Sequence, residues 1–347
     1  MWARQANRTK EGPKVASNKL RVAIAGAGAI SQFHLIGWQA QADVEIVGIC
    51  DPDKDKAHAR GEAFGISRVF ADMAEMLDET QPDAVDIITP VGSHARLVRI
   101  AADKGVHAMC QKPMTPTVAE AEALIADVGE RVRFMVHENY RFRPHYAELA
   151  QRMQDGEVGR LRHARMTVRA SAVWDYEGKE PFLLGRQPYL TDFRRLLVFE
   201  VLIHHLDALR AIIGEMDVVS ATLDRINPAL KGEDVALIQL RAENGALVVI
   251  DADIAAPGHP PLPTDRLELL GDADTLIYDR DRITLLSQPD AVSQHDLTAN
   301  YQACFTGAVT DFTEGLRSGR KFQTDRLDNL KTLRLMESIY RAAGVEV

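Results

Sequence analysis

The sequence predicts two domains of different class. The first is an N-terminal α/β domain on a parallel sheet. The second is a C-terminal α+β domain on an open, mostly antiparallel sheet with helices on one face. Two changes of rhythm predict this. From Leu20 to Tyr140, short apolar runs alternate with helical stretches, which implies βαβ units. After about Pro144, strand-like segments crowd together and helices become few, the α+β pattern. The 347 residues suffice for two domains, and 46% apolar with 26% charged residues is ordinary for a globular chain.

In the first half, strands are expected at Leu20–Ala25, Val44–Cys50, Ala84–Thr89, Val106–Cys110 and Val132–Glu138. Helices are expected at Ser31–Ala40, Ala57–Phe64, Asp72–Glu79, His94–Lys104 and Val118–Gly129. Gly105 follows its helix as a C-terminal glycine should. In the second half, strands are expected at Leu161–Ala170, Val218–Ile226, Val235–Ala242, Ala246–Ala255, Arg266–Gly271, Thr275–Asp279 and Arg282–Leu286. Asn244-Gly245 is a hairpin signal. Helices are expected at Phe199–Ile213, Ala303–Arg317 and Asp325–Ala342, the last packing back on the first domain.

The division is thus a basic, disordered extension at 1–18, a nucleotide-binding domain at 19–143 and a second domain at 144–347. The extension holds Arg4, Arg8, Lys10 and Lys14 without an apolar run, so it does not read as a secretory signal. Ala246–Ile250 is apolar on both alternating faces, whereas a half-exposed strand alternates apolar with polar. A partner subunit is therefore expected on this sheet face, giving a homodimer or homotetramer.

Other classes are disfavoured. No apolar run reaches the roughly 18 residues of a membrane span. A net charge of -9 argues against nucleic-acid binding, which needs a basic surface. Cys50, Cys110 and Cys304 are too few and too scattered for a disulfide framework or a zinc site. Reduced thiols and a cytoplasmic location are expected.

Gly26-Ala27-Gly28-Ala29-Ile30-Ser31 sits between the first strand and the first helix. Gly26 permits a tight turn, Gly28 lets a pyrophosphate approach the backbone, and the helix N-terminus offers free N–H groups to it. This is the dinucleotide-binding turn of a Rossmann domain. Ser31 replaces the usual third glycine, so helix–strand packing should loosen only slightly. Asp51 ends the second strand, about 20 residues further on, where a carboxylate receives the ribose 2′-OH of NAD and repels the 2′-phosphate of NADP.

Two further signals carry reactive groups. Gln111-Lys112-Pro113 follows the fourth strand, and ligands of open α/β sheets collect beyond strand carboxyl ends. In Glu200-Val-Leu-Ile-His204-His205-Leu-Asp207, α-helical spacing puts Glu200, His204 and Asp207 within about 60° of one another. Glu and His at that spacing could share a metal, but a third ligand is wanting, so no metal is expected.

These pieces resemble the glucose–fructose oxidoreductase / inositol dehydrogenase (Gfo/Idh/MocA) family. The matching motifs are Gly26-Ala-Gly28 with His34, Ile88-Thr89-Pro90 with His94, Lys112-Pro113, and the Glu200…His204…Asp207 helix. Two positions depart from the family pattern, Gln111 for Glu and Glu200 for Asp. Gln-Lys-Pro, His-Glu-Asn-Tyr-Arg-Phe and the Glu-x-x-x-His helix resemble the branch that contains D-apiose dehydrogenases.

The resemblance implies NAD-dependent oxidation of a sugar or polyol hydroxyl, with an aldose such as D-apiose going to its lactone. It implies a cofactor site of Gly26, Gly28, Ala29, Ile30, Asp51, Thr89, Pro90, His94, Gln111 and Lys112. Lys112, His204 and Glu200 would be catalytic: Lys112 and His204 meet the substrate hydroxyl and one of them removes its proton, and Glu200 orients His204 or binds another sugar hydroxyl. Burial, the positive nicotinamide and the missing negative charge at Gln111 favour a neutral Lys112, so Lys112 is expected as the base with His204 as its hydrogen-bond partner. Arg141, Trp174, Arg186 and Tyr189 are expected to bind substrate with Glu200 and His204. The same fold also serves NAD-retaining glycoside hydrolases and non-catalytic NAD-binding regulators. The Asp51 carboxylate predicts much faster turnover with NAD than with NADP. A marked NADP preference in a side-by-side assay contradicts that role.

Overall fold

The structure, a computed structural model, describes residues 19–175, 178 and 180–346; the N-terminal extension expected at 1–18 lies outside these. The first half runs β1 (Leu20–Ala25), α1 (Ser31–Gln39), β2 (Val44–Cys50), α2 (Lys54–Phe64), β3 (Val69–Phe70), α3 (Met73–Thr80), β4 (Ala84–Ile87), α4 (Val91–Asp103), β5 (His107–Gln111), α5 (Val118–Val128) and β6 (Phe134–His137). Capping explains several starts. The Asp53, Asp72 and Thr117 side chains accept N–H groups from the first turns of α2, α3 and α5. The six strands pair in parallel in the order β3-β2-β1-β4-β5-β6, the doubly wound arrangement that binds dinucleotides at the strands' carboxyl edge.

The second half runs α6 (Pro144–Gln154), β7 (Leu161–Arg169), α7 (Phe182–Arg186), a π-helical turn (Leu197–Leu202) continuing into α8 (Ile203–Ile213), β8 (Met216–Asp224), β9 (Val235–Ala242), β10 (Leu247–Asp253), β11 (Thr264–Gly271), β12 (Thr275–Asp279), β13 (Arg282–Leu285), β14 (Gln288–Gln294), α9 (Leu297–Ser318) and α10 (Arg326–Ala342). Its sheet has the order β14-β13-β12-β11-β7-β10-β9-β8, antiparallel except where β7 meets β10.

One face of this sheet is buried: Ala236, Ile238 and Leu240 of β9 align with Val248, Ile250 and Ala252 of β10. The opposite face is open and mixed. Leu237 and Leu247 are exposed there, on the same face as Gln239 and Arg241.

The last two helices return to the first sheet. Along α1, α9 stacks Phe305 on Phe33 with ring centroids 5.2 Å apart. At α10, Glu337 accepts the Val118 N–H at 2.7 Å, and Asp325 bridges to Met135 of β6. With α8 and β8 on its other side, α10 keys the two sheets together. The arrangement fixes the carboxyl ends of β5 and β6 opposite the π turn and α8. No described helix is long and apolar enough to cross a membrane.

Gly26 shows how tight the β1–α1 turn is. Its φ is +113°, and a Cβ there would lie 2.1 Å from the Ile88 carbonyl oxygen. Gly26→Ala should destabilise the protein by about 2–4 kcal/mol in chemical denaturation. An unchanged unfolding midpoint contradicts this reading.

Candidate active site

The nucleotide turn has the geometry its sequence implies. The Gly26 N–H donates to the Cys50 carbonyl at 2.7 Å, which lashes the turn to the end of β2. Asp51 accepts the Ala27 N–H (2.9 Å) with one oxygen and the Asp53 N–H (2.9 Å) with the other, so its carboxylate is held beside the turn. Gly28 and Ala29 are exposed, and no atom lies within 4 Å of where a Gly28 Cβ would stand. That open surface fits a pyrophosphate. Ser31 is a positive feature: its hydroxyl donates to the Gly28 carbonyl at 2.7 Å, closing the turn that a glycine would leave looser. Arg60 of α2 also donates to that carbonyl, at 3.2 Å. It brings a positive charge to the turn that no local motif announced.

Beyond β4, Thr89 is half-buried and Pro90 is exposed, but His94 is fully buried. Its Nδ1 contacts the Pro113 carbonyl at 2.8 Å and its Nε2 the Thr89 carbonyl at 2.7 Å. His94 therefore staples the Thr89-Pro90 and Lys112-Pro113 turns from beneath, and does not line the cofactor pocket as expected.

Gln111 is the family exception with a visible reason. His34 Nδ1 lies 2.8 Å from the Asp86 carboxylate, which also accepts the Trp38 indole N–H at 2.8 Å. Donation from His34 Nδ1 leaves its Nε2 as an acceptor, and the Gln111 amide supplies the donor at 2.9 Å. The Gln111 carbonyl oxygen then accepts the Lys112 N–H at 2.8 Å. A carboxylate at 111 could not donate to that ring.

Lys112 reaches across to the π turn. Its Nζ donates to the Glu200 carbonyl at 2.9 Å and pairs with the Glu200 carboxylate at 3.1 Å. Lys112 thus has a carboxylate neighbour, supplied by Glu200 in place of residue 111.

One turn on, His204 lies flat on Tyr140, with ring centroids 4.3 Å apart and planes 10° from parallel. Its Nδ1 is engaged by Glu138, a buried carboxylate just past β6. Burial, with Lys112 and His205 nearby, pushes His204 well below the ordinary histidine pKa, so the ring is neutral. Burial pushes Glu138 up, to about 7.

Three further expectations need correction. The Nδ1 of His204 is held by Glu138, while Glu200 faces Lys112; the wide π turn rotates Glu200 away from the straight α-helical spacing assumed for it. Asp207 is buried in the interior: Arg141 pairs with both its oxygens at 2.6 and 2.7 Å, and Thr332 of α10 donates to it at 2.9 Å. Arg141 was expected to bind substrate, but all three of its guanidinium nitrogens bond to protein, at Asp207, Asp328 and the Gln323 carbonyl. Its fork is spent on joining α8 to α10.

Trp174, Arg186 and Tyr189 are exposed. The Tyr189 hydroxyl accepts the Gln187 amide N–H at 2.6 Å. Among the described residues no cluster of three metal-ligand side chains occurs.

A nucleotide turn after β1 of a doubly wound sheet, with Lys112 after β5 of that sheet contacting the segment that bears His204, fits a dinucleotide-dependent oxidoreductase. Comparison with known proteins agrees. Residues 20–138 match the model of the oxidoreductase family with an NAD-binding Rossmann fold, and 146–277 match the GFO/IDH/MocA C-terminal domain. The chain belongs to this family, and NAD is its cofactor. It is 35% identical to a D-apiose dehydrogenase of Paraburkholderia graminis over 99% of this chain and 92% of that one. It is 31% identical to one from Rhizobium rhizogenes, over 94% and 96%. An Agrobacterium radiobacter oxidoreductase, solved with NAD+, L-tartaric acid and magnesium, superposes with a TM-score of 0.85 at 30% identity, covering 94% of this chain and 96% of that one.

The two acidic residues of the α8 segment should respond differently to removal. Asp207→Ala leaves buried guanidinium groups short of their counter-charge and should cost about 3–5 kcal/mol of stability. Glu200→Gln keeps the side chain's volume and a hydrogen-bond acceptor for Lys112, so it should cost clearly less stability than Asp207→Ala while lowering turnover. Denaturation curves and initial rates measured side by side check the contrast; equal stability losses contradict it.

Proposed function

We propose that this protein is an NAD-dependent dehydrogenase of sugars, with D-apiose oxidised to its lactone as the leading reaction. The observation that carries the reading is that Lys112, just past β5 of the nucleotide-binding sheet, reaches the helical segment that bears His204. The two full-length D-apiose dehydrogenase relatives support the choice of sugar.

Gly26, Gly28, Ala29 and Ile30 would hold the pyrophosphate, Asp51 the adenosine ribose, and Thr89, Pro90, Gln111 and Lys112 the nicotinamide end. NAD, when bound, supplies the hydride acceptor at nicotinamide C4. The protein manages the proton. His204 is neutral, its Nδ1 is occupied, and its Nε2 is the nitrogen left to meet the substrate. It takes the hydroxyl proton as the C–H hydride departs and the carbonyl forms. Lys112, paired with Glu200, donates a hydrogen bond to the same substrate oxygen. This reverses the order expected from sequence, where Lys112 was the base, because its ammonium has a carboxylate partner and His204 does not need to lose a charge before acting. Tyr189, Trp174 and Arg186 would form the sugar-facing rim, with Glu200 reaching a second hydroxyl.

The domain division falls between β6 and α6, near residue 143. A second copy of the chain would cover the open sheet face around Leu237 and Leu247, giving a homodimer or homotetramer. The three cysteines are buried and free, which fits a cytoplasmic location.

The assay is NADH formation at 340 nm across aldoses, branched pentoses, inositols and sugar acids. D-apiose should give the highest kcat/KM. His204→Ala should lower the rate by about 10²–10⁴ with NAD affinity retained. NAD binding without turnover on any sugar of the panel overturns the reading.

A further inference from the structure

Glu138, the second residue of the His-Glu-Asn-Tyr-Arg-Phe segment, has no role assigned so far, yet it is fully buried at the carboxyl end of β6. One of its oxygens contacts His204 Nδ1. The other is buried without a hydrogen-bond partner among the described residues. An isolated carboxylate in such a place is costly unless its charge or its proton has a use.

We propose that Glu138 is a positioning residue whose protonation state decides which ring nitrogen of His204 carries the hydrogen, and so whether His204 can accept the substrate proton. The proposal rests on the sugar-oxidation reading above. When Glu138 is ionised it accepts the Nδ1–H, and the Nε2 lone pair faces the cleft. When Glu138 is protonated its O–H donates to Nδ1, the hydrogen moves to Nε2, and no lone pair is left for the substrate. In the active form the balance is simple. The substrate O–H bond breaks, a His204 Nε2–H bond forms, the imidazolium rests on the Glu138 carboxylate, and the hydride leaves with the C–H electron pair to NAD.

The surroundings set where the switch falls. Burial raises Glu138 to about 7, opposed by Lys112 just past β5, by Arg141, by the Asn139 N–H and by His205 of α8. On the His204 side, Lys112, His205 and Arg143 all disfavour a second positive charge, while Glu200 favours it. Asp207 and Cys304 feel the Glu138 charge as a like charge. His137, the preceding residue, is itself held neutral by burial and by His34 and His204. Glu138 is therefore pushed toward neutrality while burial keeps His204 neutral.

The direct test is nitrogen NMR of histidine-labelled wild-type enzyme, without substrate, between about pH 5 and pH 9. His204 should pass from the Nε2–H to the Nδ1–H tautomer as pH rises through about 7. In kinetics, kcat/KM should rise through the same range. Glu138→Gln should erase that acid limb and lower kcat by about 10²–10⁴, leaving NAD affinity unchanged. Glu138→Asp should restore the limb and part of the rate. A His204 tautomer that ignores pH, or a Glu138→Gln enzyme with the wild-type limb, overturns the proposal. The NMR result needs no turnover, so its failure is separate from failure of the dehydrogenase reading, which would show as an inactive wild-type enzyme.

Discussion

Two polar contacts hold the reaction centre together: Lys112 with Glu200, and Glu138 with His204. Each joins a strand end of the first sheet to the π turn and α8 of the second domain. A Rossmann domain alone presents a nucleotide; it has no second wall against which to press a sugar. The crossing contacts supply that wall and fix its register, because both partners on the helical side lie within one turn of each other. They also divide the labour. One carboxylate accompanies a donor and the other accompanies an acceptor.

Those contacts are only as rigid as the elements that carry them. Behind α8, the Arg141–Asp207 fork, Arg210 on Glu215 and Asp328, and Thr332 lock α8 to α10. Burying several charges gains little net stability, but breaking one pair exposes its partner to the full desolvation cost. The network therefore acts as an all-or-none clamp. On the other side, the His34–Asp86–Trp38 set and the Gln111 amide fix the turn that carries Lys112. Polar residues far from substrate thus determine where two reactive nitrogens stand.

Much of this was legible in the sequence. The strand–glycine–helix pattern, the strand-end Asp51 and the Lys112-Pro113 turn are local signals, and periodicity located both sheets. What escaped was non-local or lacked contrast. β3 has two residues, and β14 is almost wholly exposed, so neither carries an apolar rhythm. The π turn reads like an ordinary apolar helix, because hydrophobic spacing barely distinguishes 3.6 residues per turn from a wider local turn. α6 was hidden in the change of rhythm after Pro144, although Pro144 itself is a good first residue for a helix. Glu138 and Arg141 sit in one short segment, and sequence gave no way to tell which would face the cleft. The strand's end delivers Glu138 to His204, and the following turn delivers Arg141 to Asp207. Only the path of α10, set by distant packing, decides that.

The central claim is that Lys112 and His204 serve one substrate oxygen. A crystal structure with NAD and D-apiose tests it most directly. One sugar oxygen should lie within about 2.6–3.2 Å of both Lys112 Nζ and His204 Nε2, with its carbon facing the nicotinamide. A sugar seated with either nitrogen out of reach of that oxygen would contradict it.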